Sequence, residues 1–284
     1  MLKNKILNVD CLIELKKKED NTIDTIIIDP PYNIGKDFGN DSDKQVFEDY
    51  LLWCDEWFNE SYRVLKPGGS IFIYGFSEIL AHLFVNIQYE TKKWLVWHYT
   101  NKTTPHYKFW QRSHESIIQV WKGKVVNFNL DDVREEYTES FIKNAAGKKR
   151  KATKGRFGDK ETIYNANENG ALPRDVIKIP SLAGGSGAKE RYFYCDTCDM
   201  FCNPTEKKNH ENHITIIHPT QKPLSLTEKL IRSSIPKDSK PKVLIIFAGS
   251  GSECVVSKTL NCDFEGYEIN EDYVKLGNSW LNNT

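Results

Sequence analysis

Short apolar runs alternate with stretches of helical periodicity along most of this chain, and this alternation limits the possible folds more than any other feature. It is typical of a parallel sheet whose faces are covered by helices. Seven runs predict strands, at residues 6–9, 25–28, 70–74, 94–99, 116–121, 242–247 and 264–268. We therefore predict an α/β fold with a seven-stranded, mostly parallel sheet.

Two stretches of this pattern flank a segment of different character. A helix is predicted after the second strand, where apolar residues recur every three to four positions from residue 47 to residue 65. Further helices are predicted at residues 223–235, from residue 252 and from residue 271. Residues 123–217 lose the alternation and are rich in Lys, Gly and Asn. We predict that residues 1–122 and 218–284 are the halves of one domain, interrupted by an insert at 123–217.

Composition and charge narrow the class of protein. With 284 residues, 39% of them hydrophobic, the chain can bury a core and is not wholly disordered. It has no run of about 18 apolar residues, so we expect no membrane span and a cytoplasmic location. The 39 basic residues balance 39 acidic ones, which leaves only local charge for binding nucleic acid.

Local charge is indeed segregated. Residues 143–160 contain eight basic residues and one acid, whereas residues 41–60 contain seven acids and one lysine. The basic run predicts phosphate binding, which weakens steeply with salt. A solvated surface loop is the alternative interpretation of the same run.

The apolar run at 242–247 leads into a glycine-containing turn and then into a predicted helix. Gly249 and Gly251 allow the backbone to approach a ligand at the start of that helix, and Glu268 follows Gly249 by 19 residues at the end of the next predicted strand. An acid at this distance can bind ribose hydroxyls. The third glycine of the dinucleotide fingerprint is absent, since Cys254 stands there. The pattern predicts a nucleoside-type site and argues against NAD.

A second motif, Asp29-Pro30-Pro31-Tyr32, follows the predicted strand at 25–28. Proline fixes the backbone and donates no hydrogen bond, so the neighbouring carbonyls are held outward as acceptors. A carboxylate, a fixed carbonyl and an aromatic ring suit a planar exocyclic amine, which has two N–H groups and a base to stack on. The alternative is an ordinary turn at a strand end, with a capping Asp and a packed Tyr.

In these motifs the chain resembles the S-adenosylmethionine-dependent DNA amino-methyltransferases. The resemblance includes the Asp-Pro-Pro-Tyr motif, the loop at 247–252, and His218-Pro219-Thr220-Gln221-Lys222-Pro223, together with the runs at 63–69 and 112–115. The motif order is similar to the β group of that family. It implies a Rossmann-like methyltransferase fold in which the insert is the target-recognition region.

The resemblance also implies roles for residues. Asp29 and the Pro30 carbonyl would accept the two amino hydrogens of the target base, and Tyr32 would stack on a base flipped out of the duplex. Asp10 would contact the adenine of S-adenosylmethionine and Glu268 its ribose. The remaining expected site residues are Pro31 in the catalytic motif and Thr220, Gln221, Lys222, Phe247, Gly249 and Gly251 at the cofactor.

One position departs from the family pattern. Where the family has Asp-Pro before the phenylalanine of the cofactor loop, this chain has Ile245-Ile246. A carboxylate expected near the methionine amino group is therefore missing. Either Asp29 and backbone carbonyls perform that role, or the affinity for the cofactor is low.

The function that the resemblance implies is site-specific methylation of adenine N6 in double-stranded DNA, as part of a restriction-modification system. A cognate restriction endonuclease and a homodimer are further expectations. Methylation of cytosine N4 by the same chemistry is the nearest alternative, although Asp29, where Ser would be the other choice, favours adenine. A catalytically inert DNA-binding regulator and an RNA methyltransferase are two further interpretations of the same motifs.

Cysteine and histidine residues cluster within the insert. Cys195, Cys198, His210 and His213 could form a tetrahedral zinc site, although two residues between the histidines are fewer than usual. Cys202 competes for a place among the ligands, while His218 belongs to the motif that follows. Reduced surface cysteines are the alternative to a structural zinc ion.

Overall fold

The architecture is taken from a computed structural model that describes residues 2–38, 43–89, 91–101, 107–150, 162–183 and 189–284. Most of the predicted phosphate-binding run, residues 151–160, lies outside these ranges, as does Asp41. The strands are β1 Ile6–Asn8, β2 Ile23–Ile28, β3 Leu65–Gly75, β4 Lys92–His98, β5 His114–Trp121, β6 Lys149–Arg150, β7 Thr162–Ile163, β8 Val176–Lys178, β9 Phe193–Cys195, β10 Met200–Cys202, β11 Thr215–Ile216, β12 Lys242–Ile246 and β13 Asp263–Glu268. The α-helices are α1 Cys11–Lys16, α2 Phe47–Val64, α3 Ser77–Asn86, α4 Glu139–Asn144, α5 Leu224–Ser234, α6 Ser252–Thr259 and α7 Glu271–Asn282, with 3-10 helices at Leu130–Val133 and Pro204–His210.

The large sheet has the strand order β1-β13-β12-β2-β3-β5-β4-β8. Within the described ranges β5 alone runs against the other strands, so the predicted mostly parallel α/β sheet is confirmed. The sheet has eight strands, one more than predicted. The additional strand β8 pairs with β4 in parallel, with Ile177 opposite Trp97. It is three residues long and only Ile177 is buried, which is too little pattern to predict a strand.

Alternating side chains of the central strands fill two cores, one on each face of the sheet. Ile27 and Ile245 belong to the core that α5, α6 and α7 cover. Ile26 and Leu244 belong to the opposite core, which α2 and α3 cover. All six residues of β2 are buried, as expected for a strand covered on both faces.

The chain divides into two compact units. One comprises Met1–Phe128 and Asp175–Thr284, and the other is Asn129–Arg174. The small unit contains α4 and the β6–β7 pair, and Tyr137 stacks on Phe141 within it. The predicted insert at 123–217 is thus wider than the small unit, because β8 to β11 belong to the large one. No helix among the described residues is long and apolar enough to cross a membrane.

The chain path creates a crevice between β2 and β12. After β2 the chain continues to β3 on one side, and after β12 it continues to β13 on the other side. In open α/β sheets such a switch point leaves a ligand crevice beyond the carboxyl ends of the strands. Because Ile28 pairs with Ile246, the residues Asp29 and Phe247 begin the two adjacent loops at this crevice.

Candidate active site

A cavity of about 600 Å³ lies at the carboxyl ends of β2 and β12. All but one of the predicted catalytic and cofactor-binding residues line it. They are Asp10, Asp29, Pro30, Pro31, Tyr32, Thr220, Gln221, Lys222, Phe247, Gly249 and Glu268. Folding therefore brings together two motifs that are far apart in the sequence, and the exception is Gly251.

The Asp29 carboxylate is the polar centre of the cavity. Lys222 Nζ donates to its Oδ1 at 2.8 Å and to its Oδ2 at 2.7 Å, and the Tyr32 hydroxyl donates to Oδ1 at 2.8 Å. A carboxylate offers about four acceptor sites. Three are used, so Oδ2 can still accept one further hydrogen bond.

The Lys222 ammonium is almost fully buried, with 4% of its surface exposed. Burial by itself lowers its pKa, but the carboxylates of Asp29 and Glu115 outweigh that effect and hold the pKa above its ordinary value. Burial and the same two carboxylates raise the pKa of Tyr32. Lys222 therefore remains charged and Tyr32 remains a hydrogen-bond donor at neutral pH.

Glu115 is a site residue for which the sequence motif at 112–115 suggested no chemistry. It lies on β5 and lines the cavity, with Oε2 3.7 Å from Lys222 Nζ. The Tyr99 hydroxyl donates to its Oε1 at 3.5 Å, and the Tyr32 hydroxyl oxygen lies 3.4 Å from its Oε2. Glu115 thus gives Lys222 a second negative neighbour and leaves Asp29 less completely neutralised.

The loop after Tyr32 is held in place by Asp43, which in the sequence is only one member of the acidic stretch at residues 41–60. Asp43 is 1% exposed, and its carboxylate accepts hydrogen bonds from the backbone N–H groups of Ile34 at 3.1 Å and Lys36 at 2.6 Å. The Tyr50 hydroxyl donates to the Pro31 carbonyl at 2.9 Å. These bonds fix the backbone that presents the Asp-Pro-Pro-Tyr motif.

The other end of the cavity is formed by the loop after β12. Glu268 Oε2 accepts the Gly249 N–H at 2.8 Å, and Oε1 accepts the Asn270 N–H at 2.8 Å. Phe247 has a positive φ of 62°, which is rare for a residue with a side chain. Its ring packs on Trp53, with the ring centroids 5.2 Å apart. Asp10 lies nearby and caps α1.

Gly249 and His218 are in close contact at this end. A Cβ on Gly249 would lie 2.8 Å from His218 Nε2, so only glycine fits there. Burial, together with Lys222, Lys36 and Arg191, lowers the pKa of His218 to about 3. The ring is therefore neutral, and its buried Nδ1 has no hydrogen-bond partner within the described structure.

Gly251 does not line the cavity, although the sequence motif placed it at the cofactor. It precedes α6 with a φ of 82°. A Cβ there would lie 2.7 Å from Ile6 Cδ1 and 2.9 Å from the Cα of Gly277 in α7. The two glycines allow α6 and α7 to pack closely.

Ile245 and Ile246 are the last two residues of β12, and their side chains are buried in the two cores. The end of this strand therefore carries no carboxylate. Another carboxylate lines the cavity instead. Glu253, on the first turn of α6, is 4% exposed and accepts a hydrogen bond from the Ser252 hydroxyl at 2.8 Å. Burial, reinforced by Asp29, raises the pKa of Glu253 to about 7. An acid two residues after the Gly-x-Gly turn was the sequence signal for it.

The four predicted metal ligands are also brought together, at a distance in the chain from the catalytic motif. The ligand atoms of Cys195, Cys198, His210 and His213 all lie within 4.8 Å of one another. The structure thus collects the residues that the spacing of the motif suggested.

Known proteins resemble this chain in family and in sequence. The N6/N4-type family model described as DNA methylase matches residues 23–279. The type II methyltransferase M.HpaI of Haemophilus parainfluenzae is 30% identical over 277 residues, which are 94% of this chain and 70% of that protein. The DNA adenine methyltransferase YhdJ of Escherichia coli (strain K12) is 29% identical over 278 residues, 96% of this chain and 80% of that protein.

Solved structures share the fold at low sequence identity. The cytosine-N4-specific PvuII DNA methyltransferase has a TM-score of 0.62 and 14% identity, covering 95% of this chain and 83% of its own. The M1.HpyAVI–SAM complex has a TM-score of 0.57 and 17% identity, covering 98% of both chains. The predicted Rossmann-like methyltransferase fold is confirmed.

Proposed function

Because the chain belongs to the N6/N4 DNA methylase family, we propose that it transfers a methyl group from S-adenosylmethionine to N6 of adenine in double-stranded DNA. The observation that carries the proposal is the Asp29 carboxylate, which has an open acceptor site in the cavity that the glycine loop also lines. The similarity to the adenine methyltransferase YhdJ supports adenine as the target.

Asp29 and Pro30 are suited to activate an exocyclic amine. The amine is a weak nucleophile because its lone pair is delocalised into the base, and acceptors on both N–H groups localise that pair. The open site on Asp29 Oδ2 and the Pro30 carbonyl, which lines the same cavity, supply two acceptors. Positive charge that develops on the nitrogen is stabilised by the adjacent carboxylate.

Tyr32 and Phe76 supply the aromatic surface for a flipped base. The edge of one ring packs on the face of the other, with the centroids 5.0 Å apart, and both rings line the cavity. The hydrogen bond from Tyr32 to Asp29 links the stacking surface to the acceptor. Base stacking and amine recognition thus share one rigid unit, which favours the positioning that this chemistry needs.

The residues present fit S-adenosylmethionine. When bound, this cofactor supplies a methyl group on a positively charged sulfur. A cavity of about 600 Å³ is large enough for a ligand of this size. Gly249 and Glu268 line the cavity at the ends of adjacent strands, and the unpartnered Nδ1 of His218 offers a polar contact. The M1.HpyAVI neighbour was solved with the same cofactor.

Glu253 takes the role of the carboxylate that the family pattern places at position 245. It is buried, lines the cavity and carries no basic partner at hydrogen-bond distance within the described structure. A cationic amino group next to it would restore favourable charge pairing. The Ile245 departure then relocates the acid and does not weaken the site.

The wider context is proposed from the relatives. M.HpaI is a type II methyltransferase, which supports a role in restriction-modification beside a cognate endonuclease. The segment 123–217 is proposed as the target-recognition region, and exposed Lys143 and Lys148 of its small unit would contact phosphate.

The target base is tested on DNA from cells that express the protein in a host without methylation of its own. The DNA is digested to nucleosides and analysed by mass spectrometry. We expect N6-methyladenine with the wild type and with the exposed-acid control Asp238→Ala, and none with Asp29→Asn. Detection of 4-methylcytosine alone would contradict the proposal for adenine. Duplex binding without any methylated base would favour the inert regulator.

A further inference from the structure

Two cysteines and two histidines converge beside the small sheet β10-β9-β11, away from the residues that recognise the target amine. Cys195 ends β9 and Cys198 lies in the turn to β10. His210 ends the 3-10 helix Pro204–His210, and His213 precedes β11. We propose that these four side chains bind one structural Zn²⁺ ion, and that the ion fixes the segment that delivers Lys222 to the cavity.

The distances between the ligand atoms match a zinc tetrahedron. Usual zinc–ligand bond lengths place two nitrogens about 3.3 Å apart and a sulfur and a nitrogen about 3.6 Å apart. The two Nδ1 atoms of His210 and His213 are 3.2 Å apart. His213 Nδ1 is 3.4 Å from Cys195 Sγ and 3.2 Å from Cys198 Sγ, and His210 Nδ1 is 3.8 Å from Cys198 Sγ. These four of the six spacings are close to the tetrahedral values, and all four ligand atoms lie within 4.8 Å of one another.

The chemistry of the donors selects zinc. Two thiolates and two neutral imidazoles are a common ligand set for a closed structural Zn²⁺ site, and the two thiolate charges neutralise the ion. A disulfide between Cys195 and Cys198 would leave the convergence of the two Nδ1 atoms unexplained.

Cys202 lies outside the group of four ligand atoms, so Cys195 and Cys198 are assigned as the two cysteine ligands. Its Sγ is 3.6 Å from Nε2 of His210, the ring nitrogen that does not face the cluster. When Nδ1 binds the metal, Nε2 carries the proton and donates a hydrogen bond to Cys202 Sγ. Such outer hydrogen bonds orient the imidazole ligands of metals.

The small sheet packs on α7 with one face, whereas the face that bears the four ligands has little else to stabilise it. Its strands have three, three and two residues. The buried cluster beneath it consists of Phe193, Cys195 and Cys202, with Ile217 packed against them. So small a core gives little stability, whereas metal binding contributes directly to the folding free energy.

The small sheet in turn positions the cavity. Tyr194 and Ile216 pack on Leu276 of α7, which anchors the small sheet within the large unit. Six residues after Ile216 the chain reaches Lys222, which holds Asp29. His218 lies between them, and its ring packs on Tyr273 of α7 at 4.7 Å. Loss of the metal would therefore loosen the residues from Ile216 to Lys222 while the large sheet remains folded.

The site is tested first by metal content. Full-length protein, expressed in zinc-supplemented medium and dialysed, is analysed by elemental mass spectrometry and should hold about one zinc per chain. Cys198→Ser changes an exposed ligand and should lose the metal, whereas the control Met200→Ala in the same hairpin should keep it. Cys202→Ala should keep it with an affinity about tenfold to hundredfold lower. Zinc well below one per wild-type chain, or full occupancy in Cys198→Ser, would overturn the proposal.

A second measurement uses only the wild-type protein, so its result stands even where a variant fails to fold. Wild-type protein in which Co²⁺ replaces Zn²⁺ should show the d–d absorption of a tetrahedral ion and thiolate-to-cobalt charge transfer. Octahedral cobalt without charge transfer would refute the assigned ligands. Neither result depends on the methylation target, so failure here is distinguishable from failure of the proposed function.

The positioning effect has its own measurement. Removal of the metal should increase hydrogen exchange at residues 214–222 and lower kcat for methyl transfer, while exchange in β2 and β12 stays unchanged. Unchanged exchange at 214–222 in the metal-free protein would refute the positioning role. A uniform increase over the large sheet would refute it as well, because it would show a general effect on stability.

Discussion

Glu253→Gln is the substitution that tests most directly how the cavity binds its cofactor. The glutamine keeps the size of the side chain and can still accept the hydrogen bond from the Ser252 hydroxyl. It removes only the negative charge, which lies buried among the cavity residues. If Glu253 pairs with the methionine amino group, the variant should bind S-adenosylmethionine more weakly.

The magnitude follows from the pKa of Glu253, which burial and the Asp29 carboxylate raise from 4.5 to about 7. Ionising the side chain in the folded protein therefore costs about 3 kcal/mol more than in water, and a bound cation relieves part of that cost. With a pKa of about 7, about one tenth of the molecules are ionised at pH 6 and about nine tenths at pH 8. Affinity should therefore be about tenfold weaker at pH 6 than at pH 8.

The Glu253→Gln substitution should raise the stability of the cofactor-free protein, although it lowers the affinity for the cofactor. Below pH 4.5 the Glu253 carboxyl is neutral in the folded and the unfolded chain, so it imposes no penalty there. Because the folded pKa is raised to about 7, the penalty grows as the pH rises towards 7 and is complete above it. Glu253→Gln should therefore stabilise the cofactor-free protein at pH 8, by up to about 3 kcal/mol, and have little effect at pH 4.

The assay is isothermal titration calorimetry at pH 6, 7 and 8, with urea unfolding for stability. The exposed Glu56→Gln is the matched control and should behave as wild type. S-adenosylhomocysteine, which has the amino group but no sulfonium charge, should lose as much affinity in Glu253→Gln as S-adenosylmethionine does. An unchanged Kd at pH 8, or an unchanged pH dependence in Glu253→Gln, would refute the pairing.

Three further predictions concern the residues around this acid. Lys222→Met leaves the partly buried Asp29 without its cation, so unfolding free energy should fall by up to about 3 kcal/mol, the lower end for a fully buried pair, in urea titrations and methyl transfer should be lost; near wild-type stability would contradict the ion pair. Gly249→Ala places a Cβ 2.8 Å from His218 Nε2, and calorimetry should show at least about tenfold weaker cofactor binding because the loop must move. Gly251→Ala strains a φ of 82° and crowds Gly277, so it should lower stability by about 1 to 3 kcal/mol, while the cofactor Kd measured on the folded fraction stays unchanged.

The sequence predicted the strands that are long and buried, because these carry a clear hydrophobic pattern. All seven predicted runs are strands of the large sheet, and the helix from residue 47 ends at Val64. The eighth strand, β8, escaped because its position depends on pairing with β4 and not on a pattern of its own. The compact unit Asn129–Arg174 is narrower than the predicted insert at 123–217, since the strands β9 to β11 belong to the large unit and, at two or three residues each, are too short to show a pattern.

The sequence motifs predicted the residues that are proposed to act on the target amine and the cofactor. They missed the residues whose side chains hold those residues and their loops in place. Asp29 and Glu268 stand at strand ends, where position alone suggests function. Glu115 and Asp43 became recognisable only once folding placed their carboxylates beside Lys222 and the loop after Tyr32. Long-range partners of this kind are set by tertiary structure, so a single sequence does not reveal them.

The charges of the cavity bear on the release of the product. Among the described lining residues five are acids and three are bases, and the neutral His218 adds no charge. The acids are Asp10, Asp29, Glu115, Glu253 and Glu268, and the bases are Lys36, Arg191 and Lys222. The excess of two negative charges, in a cavity whose walls screen charge less than water does, favours a cofactor with a net positive charge over its neutral product. Methyl transfer removes the sulfonium charge, so the same field that binds S-adenosylmethionine should release S-adenosylhomocysteine more readily, and the Kd of the product should exceed that of the cofactor at pH 8.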